Sequence, residues 1–190
     1  MDIRVLQEQE ITTASDLAVY VYEKCVRPLG VQPEMNQAFY EYSSAEALTE
    51  LSRAGRLVLW GAFQNGQMYA MSAMQTEGHI TMLYVLPQFM NRGTATALLD
   101  TMGKYACEIG GLNGITVNAM PTWSEGFFAR HGYTRSVQVP QNAPFVPMAG
   151  KLRREVVYEK RPFPAGAAMV LGILLLVGSF ALVLGYLLLR

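Results

Sequence analysis

Apolar and polar residues alternate from Asp2 to Leu6, which predicts a short opening strand. Thr12, Thr13 and Ser15 offer N-caps to a helix through Asp16 to Arg27, and Pro28 and Gly30 stop it. A second helix is expected after Ser43 or Ser44, with Ala47, Leu48 and Leu51 on one side and Gly55 at its end. Residues 28–42 read as loop or irregular helix. Two strands, Arg56 to Gln64 and Gln67 to Gln75, flank Asn65-Gly66, a dipeptide that supplies the positive φ angles of a two-residue hairpin turn. His79 to Pro87 is rich in large and β-branched apolar residues, the pattern of a strand covered on both faces. Thr94 to Ile109 carries Ala95, Leu98, Leu99, Met102 and Ala106 at helical core spacing and ends at Gly110-Gly111. A strand at Gly114 to Met120 follows, then a short helix to His131 with Thr122 and Glu125 as its capping box. Strands at Tyr133 to Val139 and Arg154 to Lys160, with a proline-bearing loop between them, complete an α/β (α+β) order of six to seven strands in a mixed sheet flanked by helices.

The pattern changes abruptly after that. Ala165 to Leu189 contains no charged residue, and at about 1.5 Å per residue it reaches roughly 37 Å, enough to cross a hydrocarbon core of about 30 Å with some tilt. It predicts one C-terminal transmembrane helix, and two units: a domain over residues 1–160 and an anchor over 161–190. Ala168 with Gly172, and Ala181 with Gly185, are small-xxx-small pairs on which another helix can pack, so the span also offers a route to a homo- or hetero-oligomer.

Charge sharpens this division. The 190 residues hold 15 Lys+Arg and 15 Asp+Glu, but residues 1–150 carry nine basic and thirteen acidic side chains. Lys151, Arg153, Arg154, Lys160 and Arg161 then form a basic collar before the apolar run. Basic residues near a span mark its cytoplasmic side, so a single-pass membrane protein with a cytoplasmic N-terminal domain is expected. The first ten residues have no apolar run and predict no signal peptide. A formal net charge of zero gives no support to a nucleic-acid partner, which a basic excess would mark. Cys25 and Cys107 have neither CxxC spacing nor the number for a disulfide framework. His79 and His131 lack a second ligand at i+3 or i+4, so no metal site is expected.

The chemistry concentrates in Leu83 to Ala106. A hydrophobic strand runs into a turn containing Gly93, and a helix starts at once with Thr94, Ala95, Thr96 and Ala97. The first N–H groups of such a helix lack internal acceptors and sit at the positive end of its dipole, an arrangement suited to phosphate. Gly93 and Ala95 remove bulk from the approach, and Arg92 adds a cation.

Valine, then proline two residues on, then Arg-Gly-x-Ala and Ala-Leu-Leu resembles motif A of the GNAT (GCN-type N-acetyltransferase) superfamily. The segment from Ile115 to Met120 and the run EGFFARHGY are similar to the strand and helix that close that family's fold, and the element order matches over about residues 2–160. The resemblance implies acetyl-CoA as cosubstrate, its pyrophosphate held by the main chain of Asn91, Arg92, Gly93, Thr94 and Ala95 with the Thr96 hydroxyl. Leu83, Tyr84 and Val85 would pair with the pantetheine amides, and an N–H near Val85 would meet the acetyl oxygen as it gains charge. A neutral primary amine, of a small molecule or a protein, would attack directly while a general base takes its proton. The sequence departs from the family at Met90, where Gln or Arg is usual, and at Phe128, where many members carry a tyrosine acid close to the cofactor. Tyr84 and Tyr133 are the substitute candidates for that acid, and Glu77, with His79, for a base. Two readings stay open: a membrane-anchored acetyl-CoA-dependent N-acetyltransferase, and a catalytically inactive GNAT-like sensor or scaffold subunit of a membrane complex. A longer acyl donor drawn from the membrane is a third.

Overall fold

The computed structural model describes residues 1–138 and 143–152. The predicted span at 165–189, its basic collar beyond Leu152 and the strand expected at 154–160 lie outside the described residues. Among those described, no helix is long and apolar enough to cross a membrane.

Seven strands form one mixed sheet in the order β1-β2-β3-β4-β5-β7-β6. The first half is an antiparallel meander: β1 (Asp2–Val5) pairs β2 (Leu57–Gln64), β2 pairs β3 (Gln67–Gln75), and β3 pairs β4 (His79–Val85). Asn65 and Gly66 turn the β2–β3 hairpin with φ of 53° and 78°, as the dipeptide predicts. In the second half β5 (Gly114–Ala119) runs parallel to β4, and β7 (Val146–Lys151) lies between β5 and β6 (Tyr133–Arg135).

Helices cover the first half of the sheet on both sides. On one face α1 (Ile11–Cys25) and α3 (Ala45–Arg53) pack Leu17, Val21 and Leu48 onto Leu59, Met71 and Met82. On the other, α4 (Thr94–Glu108) presses Leu98, Leu99 and Met102 onto Trp60, Met74 and Val85, while α5 (Glu125–Arg130) brings Phe128 against the second half. The strand predicted to be covered twice, β4, lies with β3 between α1 and α4. Its register shifts so that Met74 faces Ile80 and Ala73 faces Met82, which leaves Thr81 as a one-residue bulge with its hydroxyl on the Ala73 carbonyl at 3.3 Å.

Five expectations are corrected. Residues 33–43 are a regular helix, α2 (Pro33–Ser43), with Pro33 in the first turn, where its missing N–H costs nothing. Helix α1 starts at Ile11, ahead of Ser15, because a tight turn at Glu8–Glu10 leads into it; there Glu10 bridges Arg4 at 2.6 Å and the Gln7 N–H at 2.8 Å. Those contacts hold the Glu10 carboxyl down at about 2, Arg4 contributing most. Ser15 is a tie instead of a cap, its buried hydroxyl donating to the Ser43 carbonyl at 2.7 Å. Thr122 caps nothing, since a 3-10 turn at Thr122–Ser124 precedes α5. The segment expected as the loop before the last strand contains β7, whose Val146, Met148 and Gly150 are buried in alternation.

Candidate functional site

The parallel strands at the centre separate almost as soon as they meet. Strands β4 and β5 pair only at His79↔Thr116 and Ile80↔Val117, whereas β5 keeps six successive partners on β7 along its whole length. Beyond Ile80, one edge of β4 therefore faces a gap. The Leu86 N–H donates to the Tyr69 carbonyl at 2.9 Å. Antiparallel bonding alternates, so Tyr84 exchanges its bonds with Met71, while the N–H and C=O of Leu83 and Val85 turn away from β3 towards the gap. Of the three residues expected to present main-chain groups, two do so.

Past the gap the chain turns through Pro87–Phe89 into α4. Asn91 and Gly93 both have positive φ, 59° and 81°, and Gly93 is the N-cap without a side-chain bond to it. A Cβ at Gly93 would meet nothing within 4 Å. Its glycine serves the left-handed backbone, not the relief of crowding within the chain. The first helical bond is Ala97 N–H to Gly93 C=O at 3.0 Å, so the N–H groups of Gly93, Thr94, Ala95 and Thr96 have no helical acceptor. Arg92 stands exposed beside them, its guanidinium 5.6 Å from the centre of the Phe89 ring. A partial positive charge and four free donors thus open where β4 leaves the sheet.

The Thr96 hydroxyl has a partner that the sequence did not reveal. It lies 3.0 Å from His131 Nε2, and His131 Nδ1 lies 2.8 Å from the Phe127 carbonyl oxygen. Only the arrival of α5 beside α4 brings these residues together, across 35 positions of sequence.

The candidate catalytic side chains are dispersed. Tyr84 projects to the α1 face, next to Phe39 of α2, which is stacked on Tyr22 with ring centres 3.7 Å apart. Burial pushes the Tyr84 phenol well above its ordinary range, and the neighbouring Tyr22 adds to the shift, so it holds its proton at neutral pH. Tyr133 is on the opposite face, buried against Phe128, and its phenol is also pushed up by burial and then by Asp100. Phe128 is 5% exposed among apolar neighbours and offers the gap no polar atom. Glu77 is exposed in the β3–β4 turn. His79 bonds Thr116 through Nδ1 at 2.8 Å, and burial lowers its pKa. Both lie at the closed end of the β4–β5 pair, about 20 Å of extended strand from Val85. Glu77 therefore does not join Val85 at the open end.

An aromatic cluster beside Tyr84 has no signature in the sequence. The helix α2 brings Phe39 and Tyr40 beside Tyr22 and Tyr84, and the Tyr40 hydroxyl donates to Glu23, which also holds Arg27 at 2.8 Å. On β5, Thr116 and Asn118 are exposed while Ile115 and Val117 are buried on the reverse side. Among the described residues no group of three or more His, Cys, Asp or Glu side chains gathers as a metal site would need.

The family model for the acetyltransferase (GNAT) domain matches residues 16–152. The chain belongs to the GNAT acetyltransferase family. Solved GNAT structures resemble it over 80% of its length. One is the PaiA N-acetyltransferase of Thermoplasma acidophilum in complex with coenzyme A, at 16% identity, TM-score 0.62 and 99% of that chain. Another is a GCN5-related N-acetyltransferase from Rhodopseudomonas palustris, at 22% identity, TM-score 0.64 and 95% of that chain. A third is an aminoglycoside 6'-acetyltransferase type Ii, at 17% identity, TM-score 0.62 and 98% of that chain. Among curated proteins none matches the chain by sequence. Membership accounts for the mixed seven-stranded sheet and its flanking helices.

Proposed function

We propose that this GNAT domain transfers an acetyl group from acetyl-CoA to a primary amine. The observation that carries the reading is the continuity of two unused sets of main-chain donors. The free edge of Leu83 and Val85 suits the amides of pantetheine, and the uncapped start of α4 at Gly93 to Thr96 suits the pyrophosphate. Asn91 and Arg92 complete that turn. With acetyl-CoA in this position, the Val85 N–H meets the acetyl oxygen and stabilises the charge it acquires as the amine attacks. Nitrogen bonds to the acetyl carbon, the C–S bond breaks, the amine proton leaves to a base or water, and the thiolate takes a proton. Tyr84 is the candidate donor of that last proton, because it is protonated at neutral pH and lies on the β4 residue between the two free-edge positions. Phe128 cannot do this work.

Thiol release from acetyl-CoA over a panel of small amines and amine-bearing peptides tests the reading. Turnover is expected, with Tyr84→Phe lowering kcat by about tenfold to a hundredfold while leaving the KM for acetyl-CoA nearly unchanged. Tight acetyl-CoA binding with no turnover on any acceptor would favour the sensor or scaffold reading, which Phe128 supports.

The uncharged run from Ala165 to Leu189, after a basic collar, supports a second element of the proposal: the domain works tethered to the cytoplasmic face of a membrane. The full-length chain is expected to sediment with membranes and to stay there through an alkaline carbonate wash. Recovery in the wash supernatant would remove the tether from the proposal and leave the chemistry standing.

A further inference from the structure

The hydrogen-bond chain Phe127–His131–Thr96 sets which way protons point beside the start of α4. The Phe127 carbonyl can only accept, so His131 Nδ1 carries a hydrogen and donates it at 2.8 Å. In the neutral ring Nε2 then holds a lone pair, and the contact of 3.0 Å with Thr96 must be the threonine hydroxyl donating to it. That spends the only hydrogen of the Thr96 hydroxyl. Its oxygen shows a neighbouring anion nothing but lone pairs, although Thr96 belongs to the turn whose four N–H groups lack acceptors. A proton on Nε2 reverses the arrangement. The imidazolium donates to Thr96 Oγ1, the threonine hydrogen is released towards the ligand, and a full positive charge joins the helix dipole.

Resting on the proposed acetyl-CoA function, we propose that His131 couples binding of the CoA pyrophosphate to uptake of one proton. His131 is a positioning residue here, since it acts on the phosphate through Thr96. By linkage, phosphate bound at α4 raises the proton affinity of the ring by the same factor as the proton raises the affinity for phosphate. The other charged groups on the surrounding elements are Arg92 in the turn, Asp100 one helical turn beyond Thr96 on α4, Lys104 and Glu108 further along α4, Arg130 of α5, next to His131 in the chain, and Glu125 of α5, which is engaged by Arg135 of β6 at 2.5 Å. None of these is hydrogen-bonded to the imidazole among the described residues. The proton that arrives on Nε2 comes from solvent.

Calorimetric titration with dephospho-coenzyme A tests this. That ligand keeps the pyrophosphate and lacks the 3′-phosphate, whose own ionisation near about pH 6 would confuse the reading. Titrations in buffers of different ionisation enthalpy give the number of protons taken up. The full-length chain is expected to take up protons as it binds the ligand and to bind several-fold more tightly at pH 6 than at pH 8. In His131→Gln the uptake vanishes and affinity becomes level with pH. Thr96→Ala loses more affinity at pH 6 than at pH 8, and Thr96→Ser restores the slope; a contact that merely supported the fold would cost the same at both. Binding without proton uptake, or uptake that survives in His131→Gln, overturns the coupling. Absence of binding at every pH overturns the acetyl-CoA function on which it rests.

Discussion

Gly93→Val is expected to lower affinity for coenzyme A by about a hundredfold or more while the domain remains folded. Gly93 has φ of 81° and a Cβ placed there meets nothing within 4 Å, so the cost is local. A β-branched residue in that left-handed conformation costs about 1–2 kcal/mol. The turn is expected to escape that cost by rotating to negative φ. This swings the Gly93 and Thr94 N–H groups away from their common point, and two charge-assisted bonds to phosphate are lost together. Thermal unfolding and equilibrium binding on the same sample check both halves. A near-native affinity would show that phosphate is not held by this turn, whereas global unfolding would show that Gly93 supports the fold.

The second large effect concerns stability. Trp60 of β2 is 2% exposed and sits under α4, its ring edge-on to Tyr105 with centres 5.2 Å apart. Replacing it with alanine leaves a cavity that the surrounding strand and helix can fill only partly. Trp60→Ala is expected to cost about 3–5 kcal/mol and to lower Tm by roughly 10 °C. Because Trp60 fixes the body of α4 on the sheet, the loss should fall on folding stability, with little change in affinity for coenzyme A in the fraction that stays folded. Urea unfolding monitored by tryptophan fluorescence would rely on Trp123 alone in this variant, so far-UV circular dichroism is the better probe. A shift of less than 1 kcal/mol would mean the site collapses around the missing ring.

These two residues differ in how visible they are in the chain. The turn at Gly93 is legible because its signals are local: a strand, a glycine and a run of small residues lie within ten positions. The Asn65-Gly66 hairpin is legible for the same reason, since two consecutive positive φ angles restrict the residue types. Helix α2 escaped because its apolar stripe, Met35, Phe39 and Tyr42, is only three residues long and none of the three is fully buried. Strand β7 escaped because Pro147 interrupts an otherwise plain alternation of Val146, Met148 and Gly150. The proline is tolerated there although β7 has neighbours on both sides.

The candidate site divides the same way. Local sequence was enough to locate the turn at Gly93 and the strand that leads into it. It could not tell that Tyr84 gives its main chain to β3 while Leu83 and Val85 keep theirs for the gap, because that depends on the partner strand's register. Nor could it separate Tyr84 from Tyr133, which the sheet places on opposite faces.

By itself the sequence showed the family resemblance in its motifs, and it determined the order of the central elements, the turn at Gly93 and the uncharged C-terminal run, which are written in neighbouring residues through periodicity, capping and charge. Tertiary structure alone decided which donors remain free, which face each tyrosine serves, and that His131 meets Thr96. Those properties arise where segments distant in the chain share a register or a packing surface, and pairing of that kind leaves no mark on either segment alone.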